Sequence, residues 1–103
     1  MDLRDLTAEN TQPLVGTTFR IEFNDGKTAD LLLERVDVLL EKHVSKKMRR
    51  DSFGMYFVGP PNLYIAQGMY PTHHETLGGP MNIFFVPISR RDDGAFLFEA
   101  VFT

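Results

Sequence analysis

A chain of 103 residues suits one domain and is too short for two ordinary ones, and 43% hydrophobic against 24% charged residues is a globular balance without a disorder signature. The absence of cysteine removes disulfides, thiolate nucleophiles and cysteine-based zinc sites. A net charge of −3 gives no general attraction for nucleic acid.

The start, Met1-Asp2-Leu3-Arg4-Asp5, lacks the basic region and apolar run of a signal peptide, and no stretch reaches the length of a membrane span. A cytoplasmic location without membrane contact is expected. Leu6 to Asn10 suits one helical turn with Thr7 as N-cap, ending before Pro13. Residues 17 to 23 alternate Phe19, Ile21 and Phe23 against Thr18, Arg20 and Glu22, the period of a half-buried strand. Asn24-Asp25-Gly26 follows as a hairpin signal, read as a two-residue type I′ turn.

Two readings compete from 28 to 48. Leu32, Val36, Leu39, Leu40, Val44 and Met48 fall near helical spacing. As a strand, Ala29, Leu31 and Leu33 share one face and Val36, Val38 and Leu40 the other, with a bulge near Glu34-Arg35. The strand reading to about residue 40 is preferred, because a hairpin turn wants a strand on both sides. An α+β fold with a helix within 28–48 stays open.

Phe53, Met55 and Phe57 alternate before Gly59-Pro60-Pro61-Asn62, and Leu63 to Gln67 reads as a short strand closed by Gly68. Tyr70 to Pro80, rich in Gly, Pro, Thr and His, reads as an irregular connection. Asn82 to Ile88 is an apolar strand, Arg90 to Gly94 a polar turn, and Ala95 to Thr103 the last strand. Phe96, Phe98, Ala100 and Phe102 share one face of that strand, with Leu97 and Val101 opposite, which implies burial on both sides, in a closed barrel or at an interface. The expected fold is mainly β over a single domain, 1–103: a small antiparallel barrel or sandwich of about six strands with a short N-terminal helical turn.

The order of motifs carries a family resemblance. Leu14-Val15-Gly16-Thr17-Thr18-Phe19 comes first, then Phe57-Val58-Gly59-Pro60, Gln67-Gly68-Met69-Tyr70, His74 and Leu77-Gly78. Ile83-Phe84-Phe85-Val86-Pro87-Ile88 and Phe98-Glu99-Ala100-Val101-Phe102 complete it. Together these resemble a family of short, mostly β bacterial proteins known as a domain of unknown function. The resemblance implies no particular activity; relatives beside phage-tail-like genes favour a role in assembly.

His73-His74-Glu75 is the densest group of metal-ligand residues, but adjacent histidines in extended chain point to opposite faces. The plainer reading has His74 bonded to loop backbone and the other two in solvent, so no metal or cofactor is expected. Ser45, Ser52 and Ser89 lack the glycine-flanked setting of a nucleophile elbow, and Gly78-Gly79 runs into Pro80 rather than a phosphate-binding loop.

Five of the eleven basic residues, Lys42, Lys46, Lys47, Arg49 and Arg50, fall within one segment, in which His43 is also found. That density suits phosphates or an acidic protein patch, although its plainer role is a solvated face. Tyr70 with His74 is a second candidate patch, and Phe96, Phe98 and Phe102 a third. The expected function is a non-catalytic interaction or assembly module that binds a protein partner or itself, with an anionic partner of the basic segment as the alternative.

Overall fold

The computed structural model describes residues 3–39 and 52–102, and six strands in it close an antiparallel barrel. In chain order these are β1 (Thr18–Glu22), β2 (Thr28–Val38), β3 (Phe53–Pro61), β4 (Gly68–His74), β5 (Gly78–Arg90) and β6 (Ala95–Phe102). Around the barrel they run β1-β2-β3-β6-β5-β4 and return to β1. The helical alternative is thereby excluded for residues 28–39, while residues 40–48 lie outside the described residues.

Closure follows from alternation and from bulges. Phe19 and Ile21 of β1, Leu31 and Leu33 of β2, Met55 and Phe57 of β3, Ile83 and Phe85 of β5, and Phe98 of β6 all point inward and are fully or almost fully buried. The β2–β3 register slips between Leu33 and Arg35, where the sequence asks for a change of phase. Further slips interrupt β4–β5 between Thr72 and His74 and β5–β6 between Pro87 and Ser89. Such insertions bend and twist a strand, which a six-strand sheet needs in order to meet itself.

Both mouths are filled. At one, α1 (Ala8–Thr11) and the 3-10 turns Leu3–Asp5 and Gln12–Leu14 cross the opening and bury Leu6 completely. Thr7 caps α1 reciprocally with Asn10: the Asn10 N–H donates to Thr7 Oγ1 at 3.0 Å and the Thr7 N–H donates to Asn10 Oδ1 at 2.8 Å. At the other, Phe23 meets Tyr70 edge-on at 5.8 Å and Tyr64 meets Phe96 at 5.5 Å.

Three local expectations need correction. The β1–β2 turn has three residues rather than two: the Gly26 N–H donates to the Phe23 carbonyl, the Phe23 N–H to Lys27, and only Gly26 takes a positive φ, of 84°. This is a type I turn closed by a glycine bulge, which spares Asp25 the positive φ of a type I′ turn. Leu63 to Gln67 is not a strand. Pro60 and Pro61 extend β3 without donating hydrogen bonds, and Asn62 turns the chain at φ 65°. Ile65 then plugs the barrel, so its apolar spacing reflects a core contact and not a ladder.

The stretch from 70 to 80 is more regular than its composition suggests. Gly68 to His74 forms β4, paired with both β1 and β5. Its inward row, Tyr70, Thr72 and His74, is polar-tipped, so the usual hydrophobic alternation is missing. The Thr72 hydroxyl is satisfied by donating to the Tyr70 carbonyl at 2.9 Å.

The turn from β4 into β5 depends on Gly79. Its φ is 144°, and an added Cβ would lie 2.7 Å from the Thr72 carbonyl oxygen, a backbone atom with little room to yield. Gly79→Ala should therefore cost about 2–4 kcal/mol in chemical denaturation. Gly26→Ala, at φ 84° with open space around it, should cost only about 1–2 kcal/mol.

Candidate functional site

His73 and His74 occupy opposite faces of β4. His73 faces outward, its Nε2 2.7 Å from Glu22 Oε2, while His74 turns inward with 6% of its surface exposed. The His74 ring lies 4.4 Å from that of Phe19, centre to centre. Its Nδ1 accepts from the backbone N–H of Thr76 at 3.0 Å and of Leu77 at 3.4 Å. Its Nε2 lies 2.8 Å from Thr17 Oγ1, and the Thr17 hydroxyl spends its one proton on the Leu14 carbonyl at 2.6 Å.

That accounting assigns the tautomer. Nδ1 faces two donors and carries no proton; Nε2–H donates to Thr17. Burial, opposed weakly by the nearby Glu75 carboxylate, pushes the His74 pKa below its ordinary 6.5. Neutral His74 is therefore a structural junction between the N-terminal segment, β1 and the β4–β5 turn.

Beside it, an open groove of about 730 Å³ lies along the outer faces of β1 and β2 and is lined by Thr18, Arg20, Glu22, Asp30, His73 and Glu75 among others. Its polar side chains are mostly partnered, Arg20 with Asp30 at 3.2 Å and the His73 ring with the Glu22 carboxylate. Exposed pairs of this kind contribute little stability. His73, His74 and Glu75 do not come together as a metal set, because both ring nitrogens of His74 are engaged elsewhere. Among the described residues no group of three or more potential metal-ligating side chains converges.

The other candidate residues are redistributed. Phe98 and Phe102 are 0% and 5% exposed, inside the barrel, and so cannot form a contact surface. β6, expected to be buried on both sides in a closed barrel or at an interface, is a wall strand of the closed barrel, paired with β3 and β5. Phe96 is half-buried at the mouth, with the Arg90 guanidinium 5.6 Å from its ring centre. Tyr70 is pinned by its hydroxyl, which donates to the Ala66 carbonyl at 2.6 Å, and it lies two inward positions from His74. Gly68 begins β4 with an ordinary φ, so no unusual corner is present there. Lys42, Lys46, Lys47, Arg49 and Arg50, with His43, lie outside the described residues.

A different surface emerges on the outside of β4, β5 and β6. Met69 sits directly opposite Phe84. Val101 lies on the outer face of β6, two residues along from Glu99, which pairs with Val86 two residues along β5 from Phe84. The three are 63%, 41% and 48% exposed, a single row of large apolar side chains across three strands. Polar groups border it. Arg35 reaches over the Tyr56 ring at 4.3 Å and pairs with Asp37 at 2.7 Å. Burial first, then the adjacent Glu99 carboxylate, pushes the Tyr56 phenol up. An apolar strip within a charged rim has the anatomy of a protein contact site.

The family model described as "Domain of unknown function (DUF6916)" matches residues 6–102. The chain belongs to this family. The resemblance read from Leu14 onward is thus shown, and it reaches back to Leu6, the residue that seals the first mouth. All six strands, the His74 junction and the Met69–Phe84–Val101 row fall within the domain. No curated protein and no solved structure matches the chain significantly.

The row was hidden in the sequence because Met69 stood in an apparent loop, and Phe84 and Val101 in runs where nearly every residue is apolar. Only the register of β4 against β5, invisible without the fold, brings them side by side.

Proposed function

We propose that the chain is a non-catalytic interaction and assembly module that associates with copies of itself through the outer row Met69–Phe84–Val101. The exposure of that row is the observation that carries the reading. Charge complementarity favours a second copy as the occupant. Residues 42–50 contain five basic side chains and no acidic one, whereas the rest of the chain has six basic against fourteen acidic. Copies of one chain thus present opposite charges to one another, which speeds and orients encounter.

Multi-angle light scattering over a concentration series tests this. The wild-type chain should show a rising mass with concentration, and added salt should weaken the rise. Met69→Glu combined with Phe84→Glu should abolish it while leaving the thermal transition within a few degrees, since both side chains are on the outside. A wild-type chain that stays monomeric throughout would sink the proposal.

The second reading, an anionic partner for Lys42 to Arg50, rests on the local charge density. Neutralising those five residues and finding affinity for DNA or acidic peptides unchanged would remove it.

A further inference from the structure

The N-terminal segment lies like a strap across one mouth of the barrel. Its first turn, Leu3–Asp5, touches β5; α1 and the turn Gln12–Leu14 touch β2; and Leu6 is buried beneath. The strap connects to β4 through one continuous relay. Thr76 and Leu77 donate to His74 Nδ1, His74 Nε2 donates to Thr17, and Thr17 donates to the Leu14 carbonyl. A proton added at Nδ1 would confront two backbone N–H donors with a third. The ring could then be accommodated only by turning away, which breaks the bond to Thr17 as well.

We propose that His74 is a proton-operated latch, and that protonation at Nδ1 releases the β4–β5 turn and the N-terminal strap from the mouth while the barrel stays folded. The groups around the ring fit such a device. The β4–β5 turn brings one ionisable neighbour, Glu75, whose carboxylate favours the incoming proton. β1 brings Phe19, the residue before it brings the Thr17 hydroxyl, and the strap brings the Leu14 carbonyl, none of which ionises near neutrality. Arg20, Glu22, Asp30 and His73, in the adjoining groove, are paired with each other. Release would uncover the apolar socket of Leu6 at the barrel mouth. This inference stands apart from self-association, which uses the outer faces of β4, β5 and β6.

Amide hydrogen exchange followed by NMR on the full chain, between pH 8 and pH 5, tests it. After correction for intrinsic exchange chemistry, exchange at residues 6–17 and 76–77 should rise by up to about tenfold per pH unit below the ordinary histidine pKa. Amides of Phe57 and Phe98, in the barrel wall, should keep their protection. Nitrogen shifts of the imidazole should show Nδ1 gaining its proton in the same window, and His74→Gln should flatten the dependence. Should that variant not fold, the wild-type comparison decides alone. Unchanged protection at 6–17 while Nδ1 is protonated would overturn the latch, as would loss of protection at all these sites together.

Discussion

Phe57→Ala should destabilise the chain by about 3–5 kcal/mol, the range for deleting a fully buried ring. Phe57 is completely buried in the middle of β3 and meets Phe19 and Phe85 edge-on, each at 5.2 Å. Three strands, β1, β3 and β5, therefore lose packing at once. The barrel wall cannot collapse inward to fill the gap, because each strand is hydrogen-bonded on both sides. Against a total stability of about 5–15 kcal/mol for a domain of ordinary size, this is a large share. Urea denaturation should show a lower midpoint with an unchanged slope. A loss below about 1 kcal/mol would mean that the aromatic interior is not the core.

His74→Ala should cost about 2–4 kcal/mol above pH 7, combining a cavity beside Phe19 with backbone donors at Thr76 and Leu77 left without their acceptor. The pH dependence has a definite sign. His74 holds a pKa below 6.5 when folded and about 6.5 when unfolded, so the unfolded chain binds more protons between those values. Stability from this residue is present above the unfolded value and is lost as pH falls toward and through the folded one. The wild-type advantage over the alanine variant should accordingly shrink in acid. An advantage that held constant from pH 8 to pH 5 would contradict the neutral, doubly engaged ring.

Much of the architecture was legible from side-chain order. Phe19, Ile21 and Phe23 announced β1 by alternation, and the change of phase between Leu33 and Val36 announced the bulge that β2 contains. Thr7 announced its cap. The reading failed where inward positions are not apolar. β4 turns Tyr70, Thr72 and His74 to the interior, and their polar atoms are satisfied by backbone and by Thr17, partners that a linear pattern cannot display. It failed in the opposite sense at Leu63 to Gln67, where spacing suited to a strand serves a plug.

The site was less legible than the fold. Phe98 and Phe102 face the interior and not a partner; β6 is apolar on both faces but for Glu99, which shares a face with Leu97 and Val101 and marks the outer side. His73 and His74 were separable in advance, since extended chain sends neighbours to opposite sides. The distant partner Thr17 was not, as the two are 57 positions apart in sequence.

The central functional claim is that copies of the chain meet through the outer faces of β4, β5 and β6. The most direct measurement is a dilution series of amide NMR spectra on the wild-type chain. Concentration-dependent shifts and broadening are expected to centre on Met69, Phe84 and Val101, fading toward the far wall at Leu32. Spectra that do not change with concentration, or changes that centre on another face of the barrel, would contradict the account.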